Sequence, residues 1–149
     1  MAEILKLDDR WVGGEGVNTN GISVMVRYRP DMQHFINSGL YHTRMDMDWS
    51  YDDVGDSYMP SSGEMTLMES FEDALADAFS DNQSVLASIF TGDGTRKWLW
   101  YTQNSNEAAV RITALLDNYS EAAINFTRTE DPGWSAYFDL IADYDNTAV

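Results

Sequence analysis

The stretch Tyr41-His42-Thr43-Arg44-Met45-Asp46-Met47-Asp48-Trp49 constrains the fold more than any other part of the chain. Its charged and imidazole side chains occupy every second position, and the aromatic residues, methionines and Thr43 fall between them. A period of two is that of a β-strand, where successive side chains point to opposite faces. Tyr41, Thr43, Met45, Met47 and Trp49 then share one face, and His42, Arg44, Asp46 and Asp48 share the other. One face is expected to be buried and the other wet, as in an antiparallel sheet with a solvated side.

The remaining elements follow from shorter patterns. Strands are predicted near Arg10–Glu15 and over Ile22–Arg27, joined through Asn18, Asn20 and Gly21. Pro30 ends the second, and a loop through Asn37–Gly39 leads to the alternating strand. Tyr51–Gly63 reads as a loop broken by Gly55, Pro60 and Gly63. A helix is predicted over Glu64–Phe79, where Leu67, Met68, Phe71, Leu75, Ala78 and Phe79 keep helical spacing. Asp81-Asn82 suits its end. Val85–Phe90 and Lys97–Tyr101 flank Thr91-Gly92-Asp93-Gly94-Thr95 as a hairpin. A second helix starts at an Asn106 cap and buries Val110, Ile112, Leu115 and Leu116. A last strand covers Ala123–Thr127, and Tyr137–Ile141 packs after it. The expected fold is one α+β domain over residues 1–149. It is an antiparallel sheet with two helices on one face, a ferredoxin-like β-α-β-β-α-β core preceded by a β-hairpin.

Composition narrows the function. The chain carries 25 acidic and 9 basic residues, a formal net charge of −16. Nucleic-acid binding relies on Lys and Arg, so direct phosphate contact is disfavoured. A field of this sign steers a basic protein partner inward. Solubility or a salty habitat would account for the same charge, and both readings stand side by side. Cysteine is absent, which removes disulfides, thiolate nucleophiles and cysteine-based zinc sites. No apolar run approaches a membrane span and no cleaved leader is evident, so a cytoplasmic location is expected.

No catalytic pattern stands out. His34 and His42 are the candidate imidazole bases, and neither lies near a nucleophile elbow. The densest acidic stretch, Asp46–Asp56, fails as a calcium-binding EF-hand loop. Its sixth position is Tyr51 rather than glycine, and its twelfth is Ser57 rather than an acid. A looser carboxylate site at Asp52, Asp53 and Asp56 competes with a solvated surface. Gly13-Gly14-Glu15-Gly16 lacks the lysine of a phosphate loop. Trp98 and Trp100 share one face of their strand and Leu99 and Tyr101 the other, which reads as core packing. No catalytic residue, cofactor or metal is expected.

Several segments together resemble the bacterial DUF695 family. They are Met59-Pro60, Phe71-Glu72-Asp73-Ala74-Leu75, Ala87–Thr91 with Gly94, Arg96 and Trp98, then Tyr101, and finally Glu130-Asp131-Pro132-Gly133-Trp134-Ser135-Ala136-Tyr137. Trp11 and Val24–Arg27 fit as well. The family has no assigned function. Such domains occur beside domains like the RNase E inhibitor RraB, which is acidic, ferredoxin-like and acts by binding. The resemblance therefore implies an inhibitor or adaptor.

Charge and resemblance together lead to an expected function. It is an acidic inhibitor, an immunity protein that covers the active site of a basic bacterial toxin such as a nuclease. A housekeeping regulator resembling RraB is the alternative, and a metal-dependent enzyme comes third. The expected partner-binding residues are Asp46, Asp48, Asp52, Asp53 and Asp56, with Trp49 or Tyr51 as an aromatic anchor.

Overall fold

The structure is a computed structural model that describes residues 7, 9–17, 21–51, 59–119 and 122–145, without the side chains of 143–145. Among the described residues the elements run β1 (Val12–Val17), β2 (Ser23–Tyr28), α1 (Gln33–Ser38), β3 (Thr43–Ser50), α2 (Ser62–Ala78), β4 (Ser84–Gly92), β5 (Thr95–Thr102), α3 (Ser105–Leu116), β6 (Ala123–Glu130) and α4 (Ser135–Asp145). All six strands form one antiparallel sheet in the order β1-β2-β4-β5-β3-β6. The α+β class and the antiparallel sheet are as expected. The sheet has six strands, and among the described residues the α-helices number four rather than two.

The alternation in β3 has the expected result. Met45, Met47 and Trp49 are buried, while Arg44, Asp46 and Asp48 are half-exposed. The buried set meets Trp98 and Trp100 from β5, and Met68, Phe71 and Leu75 from α2 with Ala108 and Ile112 from α3 close over them. Each such large apolar side chain taken from water contributes about 1.5–3 kcal/mol. This face is therefore the main source of stability.

The other face is covered in part. Leu99 and Tyr101 of β5 and Val85 and Ala87 of β4 pack under Met32 and Phe35 at α1 and under Trp134 and Tyr137 at α4. Two helices thus lie on each face, which corrects the expectation of a single helical layer. A register shift between Leu86 and Ser88 against β5 turns Leu86 and Ile89 to the first face and Val85 and Ala87 to the second.

Local chemistry sets the boundaries. Ser61 accepts from the Glu64 N–H and caps α2, and Asn104 accepts from the Glu107 N–H and caps α3. The cap of α3 is thus Asn104 rather than Asn106. Asn82 takes the left-handed conformation just past α2, with φ 61°. Asp93 and Gly94 both have positive φ, as the tight turn between β4 and β5 requires. At Gly92 a Cβ would lie 2.7 Å from Val24 Cγ1, so β2 can approach only because that atom is missing.

Candidate protein-binding face

The helices on the second face leave one part of the sheet open. Beside α4 lies a groove of about 420 Å³. Phe90, Leu99 and Leu140 give it an apolar floor, and Asp46, Asp48 and Asp139 bring three carboxylates to its lining. Strand register places them: Asp46 lies opposite Leu99, and Asp48 opposite Lys97. On the other side of β3, Asp46 pairs with Thr127 and Asp48 with Asn125. Arg44 Nε donates to Asp46 Oδ2 at 2.9 Å, which holds that carboxylate in place on the strand.

Asp46 and Asp48 stand where period two put them, on the wet face and in one groove. Trp49 does not join them. The same alternation turns it into the core, 1% exposed, where its indole N–H donates to Glu64 Oε1 at 2.8 Å. Tyr51 is buried too. Neither offers a surface to a partner, which corrects the expected anchor. Asp52, Asp53 and Asp56 lie outside the described residues. Asp139 and Leu140 join the groove from α4, where the sequence predicts only a packing segment over Tyr137–Ile141. Lys97 was readable, since period two places it on the face of Leu99.

The other conspicuous polar residues hold the fold together. Glu72 Oε1 accepts from Arg96 Nη2 at 3.0 Å and from the Trp98 indole N–H at 2.7 Å, and its other oxygen lies 3.7 Å from Arg27. Arg96, buried in the sheet, also donates to Thr91 Oγ1. The segment Glu130–Tyr137 locks α4 down. Asp131 accepts from the Ser135 and Ala136 N–H groups and, at 2.8 Å, from the Tyr101 hydroxyl. Trp134 stacks flat on Tyr101 at 3.9 Å and donates to the Tyr41 carbonyl. The Tyr137 hydroxyl donates to the Arg29 carbonyl. Burial raises the Asp131 carboxyl, yet the bonds from Ser135, Tyr101 and Ala136 outweigh that, so its pKa lies below the ordinary value. Burial and the bond to Asp131 push the Tyr101 hydroxyl up.

His42 Nδ1 lies 3.2 Å from Glu130 Oε2 and 3.0 Å from Thr43 Oγ1. The Thr43 hydroxyl donates to Glu130 Oε1, and Thr43 is buried, so it offers little surface to a ligand from solvent. The bonds from Thr43 and His42 hold the Glu130 carboxyl below its ordinary range. Among the described residues, no three His, Asp or Glu side chains gather as a metal-ligand set, and no helix is long and apolar enough to cross a membrane.

Fold and face together define an α+β domain with one closed helical layer and one half-open acidic face. A family profile described as a family of unknown function, DUF695, matches residues 16–141, and the chain belongs to that family. Comparison with curated proteins and with solved structures found no match.

Proposed function

We propose that this domain acts by binding a basic protein and inhibiting it, with the open acidic face as the contact. The observation that carries the reading is the groove itself: three carboxylates against a single cation, Lys97, around an apolar floor, on a chain of net charge −16. Carboxylates there would pair with Arg and Lys of the partner, in the place that phosphate oxygens take in a nuclease groove. Long-range attraction would speed the encounter, and the apolar floor would slow release. The most concrete form is a cytoplasmic immunity protein that covers the active site of a basic bacterial toxin.

A housekeeping regulator is the second reading, and the topology favours it. The run β4-β5-β3-β6, with α2 and α3 as crossovers on one face, is what a split βαβ unit produces. That order supports a ferredoxin-like core and, with it, a role like that of RraB.

The test is co-purification of the tagged protein, expressed with its neighbouring genes, at about 50 mM and then about 500 mM salt. A stoichiometric basic partner that leaves at high salt supports the reading, and loss of that partner's toxicity supports immunity. A partner held equally by the wild type and by the triple variant Asp46→Asn, Asp48→Asn, Asp139→Asn would overturn the site.

A further inference from the structure

Among the described residues the sheet ends at β6, and this end is long and has no strand beyond it. β6 pairs with β3 through all eight of its residues, and among the described residues it has no strand on its other side. Six of the eight, all but Ile124 and Phe126, are exposed. The hydrogen-bonding parity can be read from its end. The Asp131 N–H donates to the His42 carbonyl at 2.8 Å, and the Tyr51 N–H donates to Gly94. Even-numbered residues of β3 therefore bond toward β6, and odd-numbered ones toward β5. In an antiparallel ladder these roles alternate. Phe126, Arg128 and Glu130 consequently turn their backbone N–H and C=O groups outward. An exposed row of this kind is a template for another strand.

We propose that β6 is the docking edge, and that its occupant is an extended, Arg- or Lys-bearing segment of a basic partner, added antiparallel or parallel as a seventh strand. The proposal rests on the basic-partner reading and adds the mode of binding. Charge selects the occupant. Two copies of a chain at −16 repel one another, whereas a cationic segment is drawn in. Side chains on the open face of β6 are short: Asn125 stands opposite Asp48 and Thr127 opposite Asp46. A basic residue on the added strand would sit two strand spacings, roughly 10 Å, from those carboxylates, with only these short side chains between. A long cationic stem and an aspartate leaning toward each other close that gap. Main-chain bonds would supply affinity, and Asp46 and Asp48 would supply the preference for positive charge.

The probe is a ten-residue peptide of alternating valine and arginine, followed by fluorescence anisotropy and by hydrogen exchange of the whole chain. Binding is expected to protect the Phe126, Arg128 and Glu130 amides. Arg128→Pro removes one outward N–H and one competing positive charge, so charge alone would strengthen binding. A loss of roughly tenfold is expected instead, with Arg128→Ala near the wild type. Asp46→Asn with Asp48→Asn should weaken binding severalfold. No binding at low salt overturns the proposal. So does binding that leaves those amides unprotected, although weakening by the Asn pair would then keep the acidic-face reading alive. Amide protection that appears in the protein alone and grows with its concentration would name a second copy as the occupant, and the proposal would fall.

Discussion

The two faces of the sheet are built from the same strands yet differ in what completes them. Met45, Met47, Trp49, Trp98 and Trp100 face α2 and α3, and that layer is closed. On the reverse side, Leu99 and Tyr101 are covered by α1 and α4, while Asp46 and Asp48 of the neighbouring strand reach an open groove. The first face shows where the folding energy is gathered. The second shows that α4, tied down by a few specific bonds, decides how much of the sheet remains open.

The sharpest test of this contrast is truncation of its aromatics. Trp49→Ala on the closed face and Trp134→Ala on the other should each cost about 3–5 kcal/mol in denaturant unfolding. If Trp134→Ala costs less than about 1 kcal/mol, α4 is not locked as described. Glu72→Ala comes next. It leaves the buried Arg96 uncompensated and should cost about 3 kcal/mol, near the low end for a broken buried pair because Glu72 is partly exposed. Calorimetry on this variant, with Arg96→Met beside it, separates lost pairing from lost packing.

Asp131→Asn should cost about 1–2 kcal/mol at neutral pH, since it keeps one acceptor of the helix start but not the full set. Its pH dependence is distinctive. The folded-state pKa of Asp131 is depressed, so its contribution is present above the ordinary value of about 4 and lost as pH falls through the lowered one. The variant should therefore show a flatter acid limb in stability against pH. A limb of unchanged steepness would remove Asp131 from the account. The smallest effect belongs to Asp46→Asn with Asp48→Asn, which should shift stability by no more than about 0.5 kcal/mol. A large change there would make the open face part of the core.

The contrast was half legible in the sequence. Period two in β3 separated Met45 and Met47 from Asp46 and Asp48, and helical spacing found Met68, Phe71 and Leu75. The same rule already placed Trp49 inward, so an anchor there asked one residue to serve both faces. The helix α1 left no trace, because it has six residues, no side-chain cap and only Phe35 buried, which is too little for a periodic pattern. The full extent of α4 was hidden for another reason. Asp131 caps its start from four and five positions ahead, but Asp131 is itself held by Tyr101, thirty positions away, and a local pattern does not report that contact. The groove has the same origin: its floor draws on β4, β5 and α4, which only the folded chain brings together.

The bond from the Tyr137 hydroxyl to the Arg29 carbonyl joins positions 108 residues apart. A ribosome making this chain from its N-terminus exposes residue 29 long before residue 137 exists. Until then Tyr41, Tyr101 and the underside of β4 and β5 have only α1 over them, and closure of that layer has to await the emergence of α4. The half-open side of the sheet is thus also the side completed last during synthesis. Premature termination upstream of Trp134 would release a nascent chain with a sticky aromatic surface, a natural substrate for chaperones and proteases.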